Sequence, residues 1–178
     1  EVPGAYQLLN VFSEQECRKL LKTSEELGYL KDAAVSLPRE IRHNDNVTIV
    51  VDDATERLIW QRIESLTQQN LAIFDGKKPL GINTRFRFYR YQEGDYFKYH
   101  IDGDWPGSKV EGDTLIHNAY SDRYSKMTFL ILLNDNFEGG DTQFLVNADQ
   151  PGKPAKRGDR QAQVNVRTPA GGVLLFPH

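Results

Sequence analysis

His100-Ile101-Asp102 is the triplet of this chain whose residue types and spacing best suit chemistry. On an extended strand, residues two apart point to the same face. An imidazole and a carboxylate are then presented side by side, with Ile101 turned the other way. One histidine added from a neighbouring strand completes a set of two histidines and one carboxylate. Such a set leaves positions open on an octahedral Fe(II). A bidentate 2-oxo acid can take two of them and dioxygen the third. Zinc is satisfied by four ligands and offers no redox step. Alone, a His-x-Asp triplet also has a plainer meaning, a surface ion pair, so its surroundings matter.

The supply of other ligands is small. The histidines are His43, His100, His117 and His178, and the one cysteine is Cys17. Neither an intramolecular disulfide nor a thiolate zinc cluster can form. His43 lies in Arg42-His43-Asn44-Asp45, which reads as a solvated polar loop. His117 lies in the segment 103–124 and reads as a loop histidine, with a substrate-facing role as the alternative.

The surroundings of His100 are patterned. Tyr91, Gly94 and Phe97 precede it at intervals of three residues. Downstream come Leu133-Asn134, then Gly139-Gly140-Asp141-Thr142-Gln143-Phe144, and finally Gly171-Gly172-Val173-Leu174-Leu175-Phe176. Together these resemble the 2-oxoglutarate- and Fe(II)-dependent dioxygenases, in their prolyl-4-hydroxylase-like branch. The resemblance covers residues 84–178 and says little about substrate. It implies a double-stranded β-helix (jelly-roll) core, with Fe(II), 2-oxoglutarate and O2 as cofactors, and it admits ascorbate. The implied activity is hydroxylation of a substrate with release of succinate and CO2. A prolyl residue of a peptide or protein is the suggested target, and a small molecule stays open. By the same resemblance, His100 and Asp102 are the first two iron ligands and the catalytic pair. Tyr91 lines the 2-oxoglutarate pocket, Thr128 is a small polar residue facing it, and Phe97, Phe144 and Phe176 pack the sheet core.

The sequence departs from that branch in three places. Leu132 stands where relatives commonly have a tyrosine that hydrogen-bonds the distal carboxylate of 2-oxoglutarate. The Arg or Lys that meets that carboxylate in relatives comes beyond the distal histidine, and this sequence stops at 178; Arg87, Arg123 and Arg167 are substitutes among which spacing does not choose. His178 has two readings. It is either the third iron ligand or the neighbour of a ligand that lies past residue 178, since many relatives read Phe-x-His before a second, iron-binding histidine. The jelly roll is therefore expected to continue beyond 178, and Glu1, without a methionine or signal pattern, to mark a cut or trimmed start. The competing reading is a non-catalytic jelly-roll binding module with a degenerate metal site.

The elements that must position these residues are legible in outline. Ser13 and Glu16 form a capping box with Phe12 before it. Cys17, Leu20, Leu21, Ser24 and Leu27 then fall on one helical face, and Gly28 stops the helix. Cys17 on that face reads as a small buried core residue. Val47–Val51 reads as a strand. A second helix runs from Asp53 to about Leu71, with Leu58, Ile59, Ile63 and Leu66 on its apolar side. Alternation at 85–91 predicts a strand with Phe86 and Phe88 on one face. Strands are expected at Phe97–Asp102, Thr128–Leu133, Thr142–Val146, Val164–Arg167 and Val173–Phe176, with 147–163 as a hairpin loop and Gly139-Gly140 as a turn. Two helices before many short strands give an α+β class with a sandwich or barrel core. One domain, 1–178, is expected, with 1–83 as helical support and 84–178 as the core. Segment 103–124 leaves directly after Asp102 and carries Trp105, Tyr120 and Tyr124, which makes it a candidate substrate-binding lid.

Composition excludes several classes. Apolar residues make up 39% of the 178, and 22 Lys+Arg against 25 Asp+Glu leave a net charge of −3. Nothing favours nucleic acid through counterion release. Phe129–Leu133 is far too short to span a bilayer. The single cysteine and the lack of a signal pattern point to an intracellular protein.

Overall fold

The computed structural model describes residues 1–31, 38 and 40–178. In chain order the elements are β1 (Tyr6–Leu8), α1 (Glu14–Leu27), β2 (Arg42–His43), β3 (Asp45–Val50), α2 (Asp53–Gln69), β4 (Arg85–Arg90) and β5 (Tyr96–Phe97). They continue with β6 (Lys109–Glu111), β7 (Thr114–Ile116), β8 (Met127–Ile131), β9 (Thr142–Asn147), β10 (Gln161–Val166) and β11 (Val173–Pro177). Among the described residues the strands pair into small antiparallel sheets beside two helices, an α+β composition. The chain forms two compact units, Glu1–Leu20 with Met127–His178, and Leu21–Lys126. The division falls within α1.

The first unit is built on the sheet β1-β11-β8. A continuous apolar run suits a central strand, because neighbours on both edges leave it little solvent contact. Val173, Leu174 and Leu175 of β11 are accordingly buried. Leu175 lies between Tyr6 of β1 and Phe129 of β8. Phe144 meets Phe176 edge-on, with ring centroids 5.1 Å apart, the core-packing role expected of both. β9 and β10 form the expected hairpin. Its connection is closed by Asn147, whose amide donates to Asp159 at 2.7 Å and whose carbonyl oxygen accepts from the backbone of Asp149 and Gln150. The start of α1 carries the capping box: Ser13 N donates to Glu16 Oε2 at 2.8 Å, and Glu16 N to Ser13 Oγ at 3.3 Å. Phe12 and Cys17 are buried there. Gly171 has φ +78°, a conformation that side chains disfavour. A Cβ on it would collide with the Phe12 carbonyl oxygen.

The second unit pairs β3 with β4 and packs α2 through Ile59, Trp60, Ile63 and Thr67. Asp52 caps α2, accepting from Thr55 N at 2.8 Å. The expected stripe of Leu58, Ile59, Ile63 and Leu66 is corrected: Leu58 is 63% exposed and Leu66 54%. The buried line runs 59, 63, 67 with Trp60 beside it, which is i, i+4, i+8 spacing. Burying the large indole turned the helix by a fraction of a turn. The strand expected through Asp102 is also corrected, because β5 stops at Phe97. Its partner β2 has two residues, and the pairing ends with Lys98 N donating to Ile41 O at 2.9 Å. Segment 103–124 folds into a hairpin of β6 and β7, tied across its base by a bridge between Pro106 and Tyr124.

Candidate metal-binding site

His100 and Asp102 meet although neither lies on a strand. His100 Nε2 is 3.1 Å from Asp102 Oδ1, and Ile101 between them is 87% exposed. The i, i+2 relation thus puts the two polar groups together and turns the apolar one out. The Nδ1–H of His100 donates to the Lys98 carbonyl at 2.7 Å. That bond fixes the ring and leaves Nε2 facing the carboxylate. Phe97 stacks on the imidazole with centroids 3.6 Å apart and planes 17° from parallel. The Arg42 guanidinium covers the rings of Tyr89 at 4.4 Å and Phe97 at 5.2 Å. It is held by its Nε, which donates to Asn44 Oδ1 at 3.0 Å.

The electrostatics follow from this geometry. The Asp102 hydrogen bond raises the His100 pKa above the ordinary imidazole value, opposed by desolvation and helped by the Lys98 carbonyl. Both ring nitrogens face acceptors, which suits an imidazolium. A cation bound at Nε2 competes with that proton. As donors the pair is well placed for a metal. Two cis ligands on an octahedral ion with bonds of about 2.1 Å lie about 3 Å apart. A carbonyl on the far nitrogen is the usual support for a ligating histidine. Among the described residues no three His, Cys, Asp or Glu side chains gather as a metal-binding group.

The other expected site residues are distributed between the units. Tyr91 follows β4 in the unit that holds His100; it is 48% exposed, yet desolvation raises its phenol above the ordinary tyrosine value, so it stays neutral. Thr128 lies in the other unit on β8, opposite Phe176 of β11. His178 follows β11 in that same unit. His43 is not the solvated loop residue expected: it lies on β2, bonds Asp95 through Nδ1 at 2.5 Å and stacks on Tyr96. His117 is an exposed loop residue, as expected. Phe97, expected in the sheet core, instead supports His100. Arg42 was not legible as part of the site, since its segment reads as polar loop.

The three arginines left open by the sequence have different surroundings. Arg123 pairs with Asp122 and lies over Tyr120. Arg167 pairs with Asp141, and its guanidinium donates to the carbonyls of Asp135, Phe137 and Gly139. Arg87 has a buried Nη2 with no acceptor.

This fold is similar to that of a Pseudomonas putida prolyl-4-hydroxylase. The match has a TM-score of 0.57 at 17% identity and covers 98% of this chain and 81% of that one. No family model and no curated protein matches the sequence. The likeness is one of fold.

Proposed function

We propose that the chain is an Fe(II)- and 2-oxoglutarate-dependent oxygenase that hydroxylates a substrate, with a prolyl residue of a peptide or protein as the first candidate. The observation that carries this reading is the His100–Asp102 donor pair, spaced as two cis ligands and oriented by the Lys98 carbonyl. The likeness to a prolyl-4-hydroxylase fold supports it and motivates a jelly-roll arrangement of the strands in one catalytic domain. In this reading His100 and Asp102 hold the metal, with His178 or a histidine beyond it as the third ligand.

Bound iron supplies the dioxygen chemistry that couples decarboxylation of 2-oxoglutarate to hydroxylation. The chain's own residues bind, orient and exclude water. Phe97 keeps the His100 ring from rotating and shields one face of it. Arg42 packs over the Phe97 ring, so a change there acts on the ligand through packing. Tyr91, neutral and near the end of β4, and Thr128 on β8 are the co-substrate contacts of this proposal.

One observation favours a second reading, a binding module without catalysis. Asp102 closes on His100 as an ion pair with both groups about one-third exposed. A single assay separates the two: succinate formed from 2-oxoglutarate with Fe(II), in the wild type and in Asp102→Ala. The oxygenase reading expects turnover that falls at least about a hundredfold in the variant. Equal background rates in both would leave the binding module standing.

A further inference from the structure

We propose that Arg85 and Arg87, under the ring of Trp105, form a carboxylate-binding site. The strand places them. Alternation along β4 puts Arg85, Arg87 and Tyr89 on one face. That face continues through Arg42, which lies over Tyr89 and Phe97, to Phe97 and the His100 ring. The Trp105 indole lies over both arginines, 4.7 Å from the Arg85 guanidinium and 4.2 Å from that of Arg87.

Trp105 is fixed there. Its backbone N–H donates to Ser125 Oγ at 2.9 Å, and its carbonyl accepts from Ser125 N at 2.8 Å. The residues after it are tied to the chain entering β4. Asn83 Nδ2 donates to the Pro106 carbonyl at 2.9 Å and Thr84 Oγ1 to that of Ser108 at 2.7 Å. Trp105 comes three positions after Asp102, a reach of at most about 11 Å.

The charges are unbalanced. Among the described residues neither guanidinium has a carboxylate partner, and Arg87 Nη2 is buried with no acceptor. Burial and the adjacent Arg87 cation both lower the Arg85 pKa, which reflects the same crowding. Three other arginines of this unit have carboxylate partners, Arg57 with Glu64, Arg90 with Asp45 and Glu25, and Arg123 with Asp122, and Arg42 donates to the Asn44 amide oxygen. An indole face attracts a cation but accepts no conventional hydrogen bond from its N–H groups. Two like cations held together with an unmet buried donor are unfavourable until an anion arrives. A carboxylate matches the guanidinium fork, and its flat shape suits the indole wall.

Two sources share this chemistry, the distal carboxylate of a 2-oxo diacid co-substrate and an acidic group on the substrate. The first assignment rests on the oxygenase reading; the carboxylate site itself does not. The metal-free chain of residues 1–178 is titrated with glutarate, 2-oxoglutarate and an oligoglutamate peptide at constant ionic strength. Tryptophan fluorescence, with buried Trp60 as a steady background, and calorimetry report binding. The expected result is saturable binding weakened at least about tenfold in Arg87→Gln. In addition, Arg87→Met melts higher than wild type without ligand, because an unpaired buried charge is gone, and glutarate raises the wild-type melting temperature alone.

Response to glutarate and 2-oxoglutarate identifies the co-substrate as the source; response confined to the peptide identifies the substrate. Arg85→Gln gives a second reading should Arg87→Gln not fold. No saturable response to any probe, or equal affinity in wild type and folded variants, overturns the proposal. Carboxylate binding without 2-oxoglutarate turnover leaves this site standing and removes the oxygenase reading instead.

Discussion

Cys17 shows how one side chain's surroundings set its chemistry. It is 2% exposed in the first unit, beside Gly171. Burial, and then the nearby Glu16 carboxylate, raises its thiol pKa, so the reactive thiolate is suppressed. The sign of the stability effect follows. A group whose folded pKa lies above its unfolded value contributes fully below the unfolded value, about 8.5 for a thiol. That contribution is lost as pH rises through the folded pKa. Wild type should therefore lose stability relative to Cys17→Ala between pH 8 and 10, measured by denaturant midpoints. A constant difference across that range would contradict the assignment. At His100 the surroundings act oppositely, and two acceptors on one ring favour its charged form.

Helix α2 makes the case for elements. Its sequence carries leucines and isoleucines on overlapping faces, and hydrophobicity does not choose between them. The structure buries Ile63 completely and leaves Leu66 54% exposed. Ile63→Ala should cost about 2–5 kcal/mol through lost burial and a residual cavity. Leu66→Ala should stay within about 0.5 kcal/mol. Similar losses for the two would mean that the stripe is centred elsewhere. The same lesson applies to β5. Its own residues continue an extended pattern, but strand length depends on a partner, and β2 ends after two residues.

For the whole molecule, the first unit joins both ends of the chain, Glu1–Leu20 and Met127–His178. β1 covers one edge of β11, and Phe12 N donates to the Gly171 carbonyl at 2.9 Å. Deleting residues 1–12 strips that edge and removes Phe12 from the core. Amide exchange in β11 should accelerate by at least about tenfold in the truncated chain, read by hydrogen–deuterium exchange. Unchanged protection would show that β8 alone suffices. No helix among the described residues is long and apolar enough to cross a membrane.

What could be read from the amino-acid order alone was local. The capping box of α1, the β9–β10 hairpin and the adjacency of His100 and Asp102 depend on residues a few positions apart, or on one repeating period. These survived even where the strand beneath them did not. Partnership across the chain was decided only by tertiary structure. Nothing in the order of residues says that Arg123 and Arg167 find acceptors while Arg87 has a buried donor without one. Nor does it say that Trp105 returns over β4, eighteen positions after Arg87. Those outcomes depend on which long-range neighbours come within hydrogen-bond or stacking distance, and short-range periodicity does not encode such distances.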